Sequence, residues 1–455
     1  MKVFIIVSII IILLLILKRN IRFALPTAKA THLMVISIDA LRSQDLDFLK
    51  TLPNFRKILE KASYSSVKSI YPTLTYPCHT TIVTGNYPIN HGIENNLKLV
   101  PEEEKPSWHW YSEDVKCNTL YDEAKKHKLK VGSIFWPVMA KAKVDYNLAE
   151  IWPMDKSETQ KSISLKTGTK PFILDAFLRY GKLLDGTKQP NLDNFSTKTA
   201  SLMIKSRKPN LMLLHLIDVD NSRHKYGTTS KEAYEALKRQ DVRIGEIIET
   251  TKSAGIYDDT AFVILGDHSF LDIEQKINLN YLFIKEGLIT LDSSGKLVDW
   301  DVYALSCGGS CQIKIKNEND SSIKDKVELL LKNLYEENNS PFENIFFKSD
   351  LKTRGVSSFY DYMIECRKGF CFSSSIKATK LIEPLNYDNG EYRGNHGFDP
   401  NKDDYETLFI TFGKGIKENV VLDGINLVDE GPTLAHILGL DLGETDGHVI
   451  EEFFQ

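Results

Sequence analysis

Short apolar runs alternate along the chain with longer stretches in which apolar and charged positions recur at helical spacing. The apolar runs are rich in β-branched residues and predict strands at Leu33–Ile38, Val131–Phe135, Leu211–Leu216, Ala261–Leu265 and Thr407–Phe412. The clearest helical stretches between them are Asn54–Ala62, Tyr121–His127 and Lys231–Ala254. Strands and helices in alternation predict an α/β fold with a mostly parallel sheet and helices on both of its faces.

Residues 296–393 break this alternation. They hold clusters of Lys, Asn, Asp and Glu, many aromatic residues and two closely spaced cysteine pairs. We interpret this stretch as a cap inserted beside the main sheet. The length of 455 residues suits one large α/β domain with such an insert, and we place this domain at residues 31–455.

The N-terminus carries a run of fifteen almost wholly apolar residues, Val3–Leu17, with Lys2 before it and Lys18-Arg19 after it. The run is short for a membrane span and has the length of a signal sequence. We predict a hydrophobic signal anchor at residues 1–17 and a basic linker at residues 18–30, which makes the protein membrane-anchored with an extracytoplasmic main domain. A cleaved signal peptide, and hence a secreted protein, is the alternative, because Ala28-Lys-Ala30 resembles a cleavage motif.

The net charge of −4 is unevenly distributed. The first 30 positions hold five of the 57 basic residues and none of the 61 acidic ones, so the rest of the chain is distinctly acidic. An acidic chain beyond residue 30 argues against a nucleic-acid polymer as the partner.

The chain contains six cysteines, which are Cys78, Cys117, Cys307, Cys311, Cys366 and Cys371. The spacing of the last four suits short disulfide loops in an oxidising compartment. Free buried thiols are the alternative, and the sequence leaves the pairing open.

Carboxylate and imidazole side chains follow several of the predicted strands, close to their carboxyl ends. These residues are Asp39, Asp220, His224, Asp267, His268 and His396. Asp220 and His224 are four residues apart and share a face if their segment is helical. Because the carboxyl ends of parallel strands meet at one edge of a sheet, where ligands bind in such folds, we expect the six side chains to lie close together. Asp and His are ligands that zinc accepts, and two zinc ions are the simplest use of six ligands.

The segment Tyr71–Gly85, rich in Thr and Pro, is the second candidate for chemistry. Its prolines fix the backbone ahead of an apolar helical run, and the hydroxyl of Thr75 at that turn would lie over the sheet edge. A threonine hydroxyl is a poor nucleophile unless a base or a metal lowers its proton affinity. A structural alternative is that Thr75 only caps the helix.

Taken together, these motifs resemble the nucleotide pyrophosphatase/phosphodiesterase (type I phosphodiesterase) family of the alkaline phosphatase superfamily. The resemblance spans residues 31 to about 450. The matching segments are Ser37-Ile-Asp-Ala40, Pro72–Pro77, Ile82–Asn96, Phe135-Trp-Pro137, Asp220–Gly227, Gly266-Asp-His268 and Gly394–Asp399. An alkaline-phosphatase-like core and hydrolysis of phosphodiester or pyrophosphate bonds in nucleotide-type substrates are what this resemblance implies, with residues 31–455 as the catalytic domain.

The resemblance also implies a role for each site residue. One zinc would be held by Asp220, His224 and His396, and the other by Asp39, Asp267 and His268 with the nucleophile Thr75, which would form a phosphothreonine intermediate. Asn96 and the backbone N–H of Tyr76 would contact a phosphoryl oxygen, and Phe135 would stack on a nucleobase. Phe135 as a core aromatic that ends a strand is the alternative. The chain departs from the family pattern at Cys78 and Ser269, although no ligand is lost.

Three alternatives to this function remain open at this point, namely a phosphate monoesterase, a phosphonate hydrolase and a non-catalytic membrane-anchored binding ectodomain. A sulfatase is excluded, because Thr75 cannot be oxidised to the aldehyde that sulfatases use. Monoesterases usually hold the extra negative charge with arginine. No Arg lies between Arg56 and Arg179, around the nucleophile, although Arg223 or Arg393 could approach it in the fold. Diesters are therefore favoured, while the leaving group and the oligomeric state stay open.

Overall fold

The structure is a computed structural model that describes residues 25–155 and 157–455. The predicted signal anchor at residues 1–17 and most of the basic linker lie outside the described residues. Within the described ranges, no helix combines the length and the apolar character needed to cross a bilayer.

The secondary structure follows the predicted alternation. The strands are β1 His32–Ile38, β2 Ser63–Lys68, β3 Val131–Ile134, β4 Tyr146–Leu148, β5 Leu211–Leu216, β6 Thr260–Leu265, β7 Leu271–Ile277, β8 Ile289–Leu291, β9 Leu297–Trp300, β10 Val302–Ser306, β11 Ser310–Ile315, β12 Phe342–Phe347, β13 Tyr362–Cys366, β14 Gly369–Phe372, β15 Ile382–Pro384, β16 Gly394–Asn395, β17 Thr407–Gly413 and β18 Val421–Asn426. The α-helices are Leu46–Leu49, Pro53–Leu59, Thr75–Thr84, Pro88–His91, Leu120–Lys126, Gln160–Thr167, Lys170–Tyr180, Asn191–Arg207, Asp218–Tyr226, Lys231–Ser253, Leu279–Lys285, Ser321–Glu336, Lys348–Thr353 and Leu427–Leu438.

Eight strands form the central sheet in the order β18-β2-β17-β6-β1-β5-β3-β4. Strand β1 lies at its centre and pairs in parallel with β5 and β6. Strand β17 is antiparallel to both of its neighbours, β6 and β2, and the other strands share one direction. The prediction of a mostly parallel sheet with helices on both faces is confirmed. The reversed strand was not predicted, because an apolar run carries no information about strand direction.

The two faces of the sheet bury two separate cores, because successive side chains of a strand point to opposite faces. In β1, Met34 and Ile36 join one core, whereas Leu33 and Val35 join the other. The first core is covered by the helices Pro53–Leu59, Asn191–Arg207 and Lys231–Ser253. The second is covered by the helices Thr75–Thr84, Leu120–Lys126 and Leu427–Leu438. Each strand therefore has little freedom to slip in register, and the side chains at the strand ends are held in place.

Three smaller sheets lie in the chain between β7 and β16. Strands β10, β11, β13 and β12 form one antiparallel sheet, β14, β7 and β15 form a second with β16 paired to β7, and β8 pairs with β9. Phe346 and Met363 of the first of these sheets pack with Tyr71 and Leu74, which immediately precede the helix Thr75–Thr84. This contact places the region beside the candidate nucleophile. The range 296–393 for a cap stays a proposal.

All six cysteines are free thiols in the structure, and five of them are buried. The Cys366 thiol donates to the carbonyls of Gly309 and Phe370. The Cys307 thiol lies 3.2 Å from Nδ2 of Asn95. The sequence left both disulfide loops and free buried thiols open, and the structure contains free thiols.

Candidate metal centre and nucleophile

The candidate site lies at the carboxyl edge of the central sheet. Asp39 follows β1, Asp267 and His268 follow β6, and the helix Asp218–Tyr226 follows β5. Because β1, β5 and β6 are adjacent and parallel, the residues after them come together without any long excursion of the chain.

Asp39, Asp267 and His268 form the first cluster, and all three are buried. The Nε2 atom of His268 lies 3.3 Å from Oδ1 of Asp39 and 3.2 Å from Oδ2 of Asp267. Burial and the charge of Asp220 together raise the pKa of Asp39 to about 7. Burial and the charge of Asp39 likewise hold the pKa of Asp267 well above its usual range. The positive charge of His215 offsets the negative charge of these carboxylates only in part.

Asp220, His224 and His396 form the second cluster. The helix Asp218–Tyr226 brings Asp220 and His224 to one face, as their spacing predicted, and His224 Nε2 lies 3.4 Å from Asp220 Oδ1. His396 Nε2 lies 3.9 Å from the same oxygen. The ring of His396 stacks on that of His268 with centroids 3.7 Å apart, so the two clusters are adjacent.

The two imidazoles of the second cluster are oriented by backbone carbonyls. His224 Nδ1 donates to the carbonyl of Gly394 at 2.9 Å, and His396 Nδ1 donates to the carbonyl of Thr73 at 3.0 Å. Burial lowers the pKa of His224 to about 4 and that of His396 to about 3, so both rings are neutral at pH 7. A neutral ring that donates from Nδ1 presents the lone pair of Nε2, which is the form that binds a metal.

Both clusters fit a divalent cation. Asp39 Oδ1, Asp220 Oδ1 and Asp267 Oδ2 are buried carboxylate oxygens without a hydrogen bond. Such oxygens are expensive to bury unless a cation or a donor compensates them. The ligand atoms of each cluster lie within 4.8 Å of one another, and neutral imidazoles with carboxylates are a donor set that zinc accepts.

Thr75 begins the helix Thr75–Thr84 beside the first cluster. Its Oγ1 atom lies 3.2 Å from Nε2 of His268. The helix has Leu74 as its N-cap residue, in extended conformation. Thr75 is therefore not the capping residue, and its hydroxyl is directed at the candidate metal ligands.

Asn96 and Tyr76 are joined by a hydrogen bond, because the backbone N–H of Tyr76 donates to Oδ1 of Asn96 at 2.9 Å. Since its Oδ1 accepts this bond, Asn96 has its Nδ2 donors left for another acceptor. Asn96 and Thr75 line the same cleft, together with Asp220, His224 and His396. The Tyr76 N–H, which was predicted to contact a phosphoryl oxygen itself, is engaged by Asn96 in the structure.

Phe135 is not part of the cleft, contrary to its predicted contact with a nucleobase. Its side chain is 1% exposed and belongs to the core beneath the sheet. The ring stacks on Trp152 with centroids 6.2 Å apart, and Trp152 lines the cleft along with Trp108 and Tyr392. Phe135 is therefore the core aromatic that ends a strand, and the rings available to a substrate come from loops whose position the sequence did not show.

His215 and Glu150 are two further cleft residues that sequence reasoning missed. His215 Nε2 lies 3.1 Å from Oδ2 of Asp39, and its Nδ1 lies 2.8 Å from Oε2 of Glu150. A sequence signal for His215 existed, since a histidine within the apolar run Leu211–Leu216 must find buried acceptors.

A central α/β sheet with two Asp/His clusters and a threonine hydroxyl at its carboxyl edge is an arrangement that metal-dependent hydrolases use. The model of the family "Type I phosphodiesterase / nucleotide pyrophosphatase" matches residues 33–399. The chain belongs to this family, whose members are hydrolases, and its structure has the alkaline-phosphatase-like fold.

Individual relatives agree with this assignment. The chain is 24% identical to human ectonucleotide pyrophosphatase/phosphodiesterase family member 1 over 91% of its own length and 40% of the relative's. It is 23% identical to human bis(5'-adenosyl)-triphosphatase over 90% of its length and 78% of that protein. The chain thus spans about two fifths of the length of the first of these relatives.

The fold is similar to those of solved structures. Human ectonucleotide pyrophosphatase/phosphodiesterase 5 superposes with a TM-score of 0.64 at 19% identity, covering 91% of this chain and 97% of that one. The murine protein of the same name, solved as an inactive variant in complex with AMP, gives a TM-score of 0.65 at 17% identity and covers 93% of this chain and 100% of that one.

Proposed function

We propose that this protein hydrolyses phosphodiester or pyrophosphate bonds of nucleotide-type substrates, with Thr75 as the nucleophile. The observation that carries the proposal is the position of the Thr75 hydroxyl, 3.2 Å from His268 and beside two adjacent clusters of metal-binding residues. Family membership and the AMP complex of the murine relative support a nucleotide as the substrate.

The proposed cofactors are two zinc ions per chain. Asp39, Asp267 and His268 would hold one of them next to the oxygen of Thr75. Asp220, His224 and His396 would hold the other. Bound zinc would supply positive charge to the attacking and leaving oxygens and would lower the proton affinity of the Thr75 hydroxyl.

The affinity for zinc is expected to rise with pH. Burial raises the pKa of Asp39 to about 7 in the metal-free cleft, so a proton must leave this carboxyl when a cation binds. The pKa values of His224 and His396 are lowered to about 4 and about 3. Titration of these two rings therefore does not change the zinc affinity near pH 7. Ionisation of Asp39 alone predicts binding about tenfold tighter at pH 8 than at pH 6. Competition with a chromophoric chelator at both pH values measures this, and a flat profile would contradict it.

In the proposed reaction, Thr75 Oγ attacks phosphorus and loses its proton to solvent. A bond forms between Oγ and phosphorus while the bond from phosphorus to the leaving oxygen breaks, which leaves a phosphoryl group with its remaining substituent on Thr75. Water then attacks the same phosphorus and releases Thr75. Asn96 donates from Nδ2 to a phosphoryl oxygen, and its bond from the Tyr76 N–H fixes the orientation of the amide.

The charge of the cleft favours a diester over a monoester. Among the described residues that line it, none is Lys or Arg, and Glu150 adds a carboxylate. Arg223, which could have approached the substrate, is buried and donates instead to the carbonyls of Ala40 and Thr228 and to Asp45. A dianionic monoester therefore lacks the guanidinium partner that monoesterases usually provide.

We expect kcat/KM for a nitrophenyl nucleotide diester to exceed that for nitrophenyl phosphate by at least about a hundredfold, which corresponds to about 2.7 kcal/mol of transition-state discrimination. The second substituent of the diester can rest on Trp108, Trp152 or Tyr392, and a monoester has no such substituent. Both rates are measured on one preparation of zinc-loaded protein, with a nitrophenyl phosphonate as a third substrate.

Equal rates, or faster cleavage of the monoester, would show that the protein is a phosphate monoesterase. Preferential cleavage of the phosphonate would make it a phosphonate hydrolase. Absence of all three activities in zinc-loaded protein would leave a non-catalytic binding ectodomain, which the complete set of ligands in the two clusters disfavours.

We also propose that the protein works outside the cytoplasm, anchored by its N-terminal segment. The apolar run at residues 3–17 and the names of the relatives as ectoenzymes support this location. A small nucleotide or diester is the expected partner rather than a nucleic-acid polymer, since the chain is acidic beyond its first 30 residues.

A further inference from the structure

His215 is the last residue but one of the wholly buried strand β5, at the carboxyl end where the site lies. The polar groups around its ring are acceptors. Nε2 lies 3.1 Å from Oδ2 of Asp39, while Nδ1 lies 2.8 Å from Oε2 of Glu150 and 3.2 Å from the carbonyl of Phe135. Once Asp39 is ionised, as a metal ligand must be, it can only accept, so His215 Nε2 is the donor in this contact.

The two oxygens of Asp39 consequently have different partners. Oδ2 accepts from His215, and Oδ1 lies 3.3 Å from Nε2 of His268 and has no hydrogen bond. One oxygen is thus held by the protein and the other is left to a cation. A carboxylate fixed in this way cannot rotate to offer both oxygens or turn away from the cluster.

The surroundings of His215 fix its ring in turn. Strands β1 and β5 place His215 directly beside Ser37, two residues before Asp39. The ring of His79 packs edge-on against His215 with centroids 4.3 Å apart, and its nitrogens contact the Ser37 hydroxyl and the Thr75 carbonyl. The carboxylate of Glu150 contacts Nδ1 of His215, on the side of the ring opposite Asp39. The ring of His215 therefore has one orientation, which aims Nε2 at Asp39.

We propose that His215 is a positioning residue, which holds Asp39 as a one-oxygen ligand of the cation in the cluster Asp39, Asp267 and His268, and that Glu150 fixes the ring of His215. This inference rests on the proposed metal-dependent function. Residues that hold a metal ligand by a hydrogen bond commonly change metal affinity by 10–100-fold when removed. The effect belongs to one of the two clusters, because Asp220, His224 and His396 do not touch His215 in the contacts of the described residues.

The test is a zinc titration of the full chain by competition with a chromophoric chelator. We expect His215→Leu, which removes both hydrogen bonds, to weaken one of the two zinc-binding steps by about 10–100-fold, and His215→Gln, which keeps one donor, to weaken it less. The other step should change by less than about twofold. A large excess of zinc should restore most of kcat in both variants, because His215 does not touch the reacting atoms.

His32→Gln is the matched control, since His32 is a buried histidine at the other end of β1, bonded to the carbonyl of Pro209. It should leave both zinc steps as in the wild type. If the His215 variants do not fold, Glu150→Gln replaces them, and it should weaken the same single step. Unchanged zinc affinity in the folded variants would overturn the inference, and so would an equal loss at both steps. A wild-type protein that binds no zinc or cleaves no diester would instead refute the proposed function.

Discussion

Thr75→Ala is expected to lower kcat/KM for a nucleotide diester by at least about a thousandfold, or about 4 kcal/mol of transition-state stabilisation. The substitution removes the oxygen that makes the first attack on phosphorus in the proposed mechanism. It leaves both Asp/His clusters intact, so the zinc content should stay close to that of the wild type. Steady-state kinetics and elemental analysis on the same preparation measure the two quantities.

Two further variants separate the role of the hydroxyl from that of the helix. Thr75→Ser keeps a hydroxyl and should retain part of the activity. Thr84→Ala removes a hydroxyl at the other end of the same helix, one that donates to the carbonyl of Thr80, and should cost about 1 kcal/mol of stability without loss of activity. Full activity in Thr75→Ala would show that water attacks the substrate directly and that Thr75 is structural.

Removal of metal is the second change with a large expected effect. A strong chelator should abolish diester cleavage, and zinc added back should restore it, because without the ions nothing would lower the proton affinity of the Thr75 hydroxyl or stabilise charge on the leaving oxygen. Protein prepared without chelators should contain about two zinc ions per chain, as measured by elemental analysis.

Ligand variants assign the ions to the clusters. Asp267→Asn should release the ion beside Thr75, and His396→Ala should release the ion on the opposite side, each leaving about one zinc per chain. Activity that survives complete removal of transition metals, or protein that never contains any, would contradict the proposed role of both clusters.

The course of the chain and the place of the site were predictable from the sequence. Apolar runs marked β1, β5 and β6, and the polar residues that follow those runs had to meet once the strands were parallel and adjacent. The spacing of Asp220 and His224 also indicated a shared helical face. Local patterns were sufficient to identify these strands, the residues after them and the helix, and the rule that ligands bind at the carboxyl edge of a parallel sheet predicted where those residues meet.

Other features depended on long-range packing, which local patterns do not encode. The reversed direction of β17 is set by its pairing with β6 and β2. Phe135 directly follows β3, but Trp152, in a later loop, stacks on its ring and lines the cleft in its place. The contact of His215 with Asp39 joins residues 176 positions apart in the chain.

The stereochemical course at phosphorus tests the central claim most directly. A nucleotide diester made chiral at phosphorus by sulfur and an oxygen isotope is hydrolysed by zinc-loaded protein, and the configuration of the product is determined by phosphorus NMR. Attack by Thr75 followed by attack of water consists of two in-line displacements, each with inversion, so the proposed mechanism predicts net retention. Net inversion would show a single displacement by water and would contradict a phosphothreonine intermediate.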